Sequence, residues 1–127
     1  MTMRRIMLET GAGADLHGGD MTKAARRAVE DALRRSSLSL FGALKLDPKT
    51  MRVEILIGVP EPEAVDRVAI AAIPPYGTVE VKVERGGVSA AGLGGPGGSD
   101  AVLAAAAVIV HVDVPDGRWR LAGSQTA

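Results

Sequence analysis

Apolar and polar residues alternate with a period of two over three stretches of the chain and with a helical period over two others. Residues 51–59 put Met51, Val53, Ile55, Ile57 and Val59 on one side, and Arg52, Glu54, Leu56 and Gly58 on the other. Strict alternation of this kind predicts a half-buried strand. Residues 78–84 repeat it, with Val79, Val81 and Val83 against Glu80, Lys82 and Glu84. In residues 101–114, Val108, Val110, Val112 and Val114 alternate with Ile109, His111 and Asp113. The alanine run 104–107 also suits a helical turn capped by Asp100, but the β-branched second half favours a strand. Residues 3–8, a short aliphatic run, read as the opening strand.

Between the strands the period changes. Ala25, Ala28, Val29, Ala32 and Leu33 fall at i, i+3, i+4, i+7 and i+8, with Lys23, Arg26, Arg27, Glu30, Asp31, Arg34 and Arg35 at the other positions. This predicts a helix over 21–36, with Asp20 as its N-cap and the arginine pair at the negative end of its dipole. Its small apolar residues imply close approach to a sheet. Residues 63–73 carry Val65, Val68, Ala69 and Ala72 on one face and predict a second helix, stopped by Pro74 and Pro75. Residues 37–50 hold Leu38, Leu40, Phe41, Leu44 and Leu46, too apolar for a free linker, and end in an Asp47-Pro48 turn. Residues 11–19 and 89–99 are glycine-rich and read as loops. The order β-α-β-α-β-β predicts a single α+β domain with its helices on one face of the sheet. Its core spans 3–114, followed by a tail over 115–127. The other face, with valines among charges, is one that a small chain finishes by oligomerising.

Composition narrows the function. A chain of 127 residues is one domain. Fifteen basic and fifteen acidic residues give a net charge of zero, so nothing draws it to nucleic acid or an anionic membrane. No cysteine is present, which excludes disulfides, thiolate nucleophiles and cysteine-ligated metals. Phe41, Tyr76 and Trp119 are the only aromatics, too few for base stacking. The apolar run after Arg5 stops at Glu9, too short for an export segment. The longest, residues 101–110, is half the roughly 20 residues a spanning helix needs. A cytoplasmic protein is expected.

The candidate chemistry gathers after the first strand. Gly11, Gly13, Gly18 and Gly19 surround Asp15 and His17 just ahead of a helix N-terminus, where backbone N–H groups bind anions. The spacing GxGxxxxG is neither the dinucleotide fingerprint nor a P-loop. His17 is a candidate acid/base group, Asp15 its partner and Glu9 a second carboxylate. The other reading is that Asp15 and His17 tie down a glycine-rich turn through side-chain-to-backbone bonds. His111 and Asp113 share a strand face, and two His/Asp pairs raise a metal hypothesis. In an antiparallel pairing of the first and last strands, however, His111 lies far from His17 within one subunit, and no metal ligand is assigned. Ser99, behind Gly97-Gly98, is a weak candidate nucleophile with no lysine nearby. Lys82 and Arg52 read as solvated sheet charges that an inter-subunit cleft could recruit. Arg118-Trp119-Arg120 reads as a tail anchored by its indole.

Residues 9–18, ETGAGADLHG, resemble the N-terminal GxGxDxHG signature of a small family of conserved hypothetical proteins from bacteria and plants. Gly11, Gly13, Asp15, His17 and Gly18 all match, and the likeness runs from Arg4 to about Val114. That family implies no activity. In length and element order the chain is also similar to trimeric chorismate mutase and to the repeat units of ring-opening amidohydrolases such as cyanuric acid hydrolase and barbiturase. This second resemblance implies a four-stranded mixed sheet of order 1-4-2-3 with two helices on one face. It also implies three subunits closing a barrel, with ligands between them. Residues 101–110 hold no arginine, so it implies fold and assembly rather than mutase activity. The expectation is a homotrimeric small-molecule-binding protein. Gly11, Gly13 and Gly18 would hold an anionic or carbonyl ligand, and His17, Asp15 and Glu9 would serve hydrolysis of a cyclic amide, or isomerisation. The alternative is a non-catalytic accessory or structural subunit whose loop holds an effector or a partner. No cofactor follows from the sequence.

Overall fold

Alternation in the two central strands decides where the core lies. The computed structural model describes residues 2–35, 47–90 and 100–114. Its elements are β1 (Thr2–Asp15), α1 (Met21–Arg34), β2 (Arg52–Val59), α2 (Arg67–Ala71), β3 (Thr78–Arg85), β4 (Val88–Ala90) and β5 (Ala101–Val114). The apolar connector with Leu38, Leu40, Phe41, Leu44 and Leu46, the serine at Ser99 and the Arg118-Trp119-Arg120 tail lie outside the described residues. The sheet runs β1-β5-β2-β3, with β5 antiparallel to β1 and β2, and β3 parallel to β2. This is an α+β fold with the expected mixed order along that path, and it gains a fifth strand. β4 pairs with the start of β5, Val88 opposite Leu103, where the glycine-rich reading expected only loop. Three residues are too few to carry an alternation signal.

Val53, Ile55, Ile57 and Val59 of β2 and the even positions of β5 from Val102 to Val112 are buried under the helices. Each fully buried valine or isoleucine contributes roughly 1.5–3 kcal/mol. On α1, Ala24, Ala25, Ala28, Val29 and Ala32 face this layer. The Asp20 carboxylate caps the helix by accepting from the Lys23 N–H at 3.1 Å. The helix ends at Arg34, two residues sooner than its periodicity predicts.

The largest departure from the expected fold is at β1. A strand over 3–8 and a loop over 11–19 were expected; the strand runs unbroken from Thr2 to Asp15, and only a short turn precedes α1. Gly11 and Gly13 are strand residues lying directly beneath α1. A Cβ on Gly13 would stand 2.3 Å from the Ala28 nitrogen and 2.5 Å from the Ala24 oxygen, and one on Gly11 2.2 Å from the Ala28 oxygen. Glycine is required here by the approach of a helix, not by the bend of a loop.

That approach has a second result. β1 is an edge strand, and its outward-facing backbone groups would otherwise be open to pairing with another chain. The Arg27 guanidinium donates to the Ala14 carbonyl at 2.6 Å, the Ala12 N–H donates to the Asp31 carboxylate at 3.0 Å, and the Arg35 guanidinium donates to the Thr10 carbonyl. These three side chains recur every fourth residue along α1 and its C-cap, Arg35, and reach alternate residues of β1. The helix thus stands in for a neighbouring strand over the second half of the edge.

The second helix is also shorter than expected. Its expected start is taken by a 3-10 turn at Pro62–Ala64, and Asp66 caps α2 by accepting from the Val68 and Ala69 N–H groups. The cap sets the phase of a five-residue helix, so Ile70 is buried with Val65 while Val68, expected inside, is 81% exposed.

Candidate functional site

The turn between β1 and α1 is organised by Asp15, the one buried charged residue among those described. Its carboxylate accepts from the Asp20 N–H at 2.9 Å and stands 3.5 Å from the Lys23 Nζ. The Asp20 amide is the main cause holding the Asp15 carboxyl below its ordinary value of 3.8; burial opposes it, and the Lys23 charge and the His17 backbone N–H add to it. Gly18 and Gly19 take φ of 122° and 62°, a left-handed region that side chains rarely enter. The turn is closed through Asp15, and the positive φ of two glycines allows it.

His17 lies on this turn with its side chain exposed and without a hydrogen-bond or ion-pair partner among the described residues. Its neighbour Asp15 turns inward to backbone amides. Glu9 sits on the same strand face as Asp15, six residues back along β1, about 20 Å away at the rise of a strand. The structure therefore brings Asp15 and Gly18 together at the turn and leaves Glu9 apart. Because Thr10, Ala12 and Ala14 turn their backbone groups toward α1, those of Gly11 and Gly13 turn toward β5. Their amides belong to the β1–β5 ladder rather than to an anion cradle.

A different group of residues assembles on the face of the sheet opposite the helices. His111 of β5 stands opposite Arg5 of β1 on one side and opposite Arg52 of β2 on the other, and Arg52 stands opposite Thr78 of β3. Directly opposed residues share a face. One cross-strand row therefore reads Arg5, His111, Arg52, Thr78. A hollow of about 320 Å³ opens over it, lined by Met3, Arg52, Val53, Glu54, Thr78, Glu80 and His111. Among the described residues Arg5, Arg52 and His111 have no side-chain partner. Glu54 and Glu80 both approach the Lys82 Nζ, at 3.4 and 3.9 Å. The Asp113 Oδ1 is buried without a partner. Alternation already placed Arg52 and His111 on the polar sides of their strands; only the register, which a bulge at Ile6 resets, lines them up with Arg5.

The two His/Asp pairs stay apart. Asp15 is opposite Val102 and Arg5 opposite His111, so nine residues of β5, about 30 Å, separate the two regions. Among the described residues no three His, Asp or Glu side chains converge as metal ligands, and no helix is long and apolar enough to cross a membrane. Beyond the polar row the open face is apolar along β1 and β5, with Leu8 49% and Leu103 41% exposed beside Ile109, Ala105, Ala107 and Leu56, and charged along β3 with Glu80, Lys82 and Glu84.

These features define a small α+β protein with a helix-sealed strand edge and one sheet face that no element among the described residues covers. Residues 5–110 match the family described as conserved hypothetical protein, Lin0512_fam, and the chain belongs to that family. It is also similar to a crystal structure of an FtsZ-like protein of unknown function from Nostoc punctiforme. That structure is 32% identical, superposes with a TM-score of 0.76, and is matched over 90% of this chain and 99% of that one. No curated protein matches the chain.

Proposed function

We propose that the protein is a non-catalytic small-molecule-binding subunit that works as a homo-oligomer, with copies of itself covering the open sheet face. The observation that carries this reading is that face. Leu8, Leu56, Leu103 and Ile109, with Ala105 and Ala107, form an apolar centre across three strands. Four strands spaced about 4.8 Å apart and ten residues rising about 3.3 Å each span roughly 600 Å², close to the about 800 Å² per partner of a stable interface. A homotrimer is the size that the chorismate mutase resemblance implies.

The non-catalytic part of the reading rests on Asp15 and His17. The paired acid/base role read from the sequence would put the Asp15 carboxylate on the imidazole, whereas that carboxylate is engaged at the turn by the Asp20 amide and by Lys23. Glu9, about 20 Å away, is out of reach of both.

Light scattering on the size-fractionated protein tests the assembly. The wild type is expected at a multiple of 13.1 kDa at micromolar concentration. The double variant Leu8→Lys, Ile109→Lys is expected at the mass of one chain with an unchanged circular dichroism spectrum. A wild type that runs as one chain contradicts the reading.

A further inference from the structure

The row Arg5, His111, Arg52 puts three nitrogen-donor side chains on three adjacent strands about 5 Å apart. Carboxylates are nearby, yet none is bonded to the row: Glu54 and Glu80 hold Lys82, and the buried Asp113 Oδ1 accepts nothing. The donors of Arg52, His111 and the Thr78 hydroxyl border a hollow that is large enough to fill.

We propose that this hollow binds a small organic monocarboxylate. The Arg52 guanidinium grips the carboxylate as a two-pronged donor, the His111 imidazole and the Thr78 hydroxyl donate beside it, and the apolar body of the ligand lies along Met3. A guanidinium fork matches a carboxylate in a way that a lysine ammonium does not. A volume of about 320 Å³ is at the lower end of small-molecule sites and admits a short-chain carboxylate with room to spare. Glu54 and Glu80 on the rim repel a second negative charge and so select a monoanion over the phosphate dianion. The proposal rests on the reading of the protein as a small-molecule-binding subunit, and gives its ligand a place and a chemical class.

Saturation-transfer NMR with butanoate, and separately with inorganic phosphate, tests it on the wild type, Arg52→Met, Arg52→Lys and His111→Gln. Folding of each variant is checked by its amide spectrum. Butanoate is expected to bind saturably and more tightly than phosphate. Arg52→Met is expected to weaken it about tenfold or more, the size of a lost charge-assisted pair. Arg52→Lys, which keeps the charge and loses the fork, is expected to weaken it several-fold. Wild-type binding that fails to saturate, folded Arg52→Met and His111→Gln proteins that both bind like the wild type, or phosphate binding more tightly than butanoate would each overturn the proposal. Arg52-dependent butanoate binding by a wild type that is a single chain in solution leaves the ligand assignment standing and removes only the assembly.

Discussion

His17 and His111 lie toward opposite ends of one sheet, and their surroundings are opposite in kind. Around His17 the polar groups are engaged: Asp15 with Asp20, His17 and Lys23 at the turn, Asp20 with the first turn of α1, and Gly11 and Gly13 with the underside of that helix. Around His111 the donors are open: Arg5, Arg52 and His111 have no partner among the described residues, and Arg52 and His111 line a hollow. The region densest in chemically suggestive residues has its polar groups taken up within the turn, whereas a plain alternating strand contributes residues to the proposed ligand site. Saturated hydrogen bonding fixes a shape, and unsaturated donors facing a cavity leave something for a ligand to complete.

Mutations at the junction of β1 and α1 should damage folding, and mutations at the row should not. The largest effect is expected for Gly13→Ala, whose methyl group meets the α1 backbone at 2.3 Å and must push the helix away. Overpacking against backbone costs about 3 kcal/mol, read from the urea midpoint. A Gly13→Ala protein as stable as the wild type would break the contrast.

Acid comes next. The Asp15 carboxyl is held low first by the Asp20 amide, and that of Asp31 first by the Ala12 amide, each supported by nearby cations. A depressed carboxyl contributes stability that is complete above its ordinary value of 3.8 and is lost as pH falls through the lowered one. Urea midpoints measured from pH 7 down to pH 2 should therefore drop at the acid end. Asp15→Asn should flatten that limb and lower the midpoint at pH 7. An unchanged limb would mean that the carboxylate does not close the turn.

His17→Ala is expected to change stability by no more than about 0.5 kcal/mol, as for an exposed side chain with no partner. A larger loss would make the imidazole part of that junction. Arg52→Met is expected to leave stability unchanged to within about 0.5 kcal/mol, because the side chain is exposed and has no partner among the described residues. Thermal melts of the two variants side by side sharpen the comparison.

The elements that repeat a short-range pattern were legible in the sequence. Alternation marked β2 and β5, and the alanine stripe with Asp20 ahead of it marked α1. The second half of β1 was not, because the glycines that read as loop answer to the crossing of a helix more than ten residues away in sequence. Val68 was misplaced because the cap at Asp66 sets the phase of a helix too short to average it. The candidate site was legible residue by residue on β2 and β5 but not as a group. Arg5, His111 and Arg52 meet only through the strand register, which depends on the extra residue at Ile6.

The chain has two histidines, so the ring signals of one NMR spectrum report on both regions at once. A butanoate titration followed on those signals is the most direct measurement. The His111 ring should shift saturably while the His17 ring stays in place. A saturable shift of His17 with His111 unmoved would return the binding function to the glycine-rich turn and contradict the assignment made here.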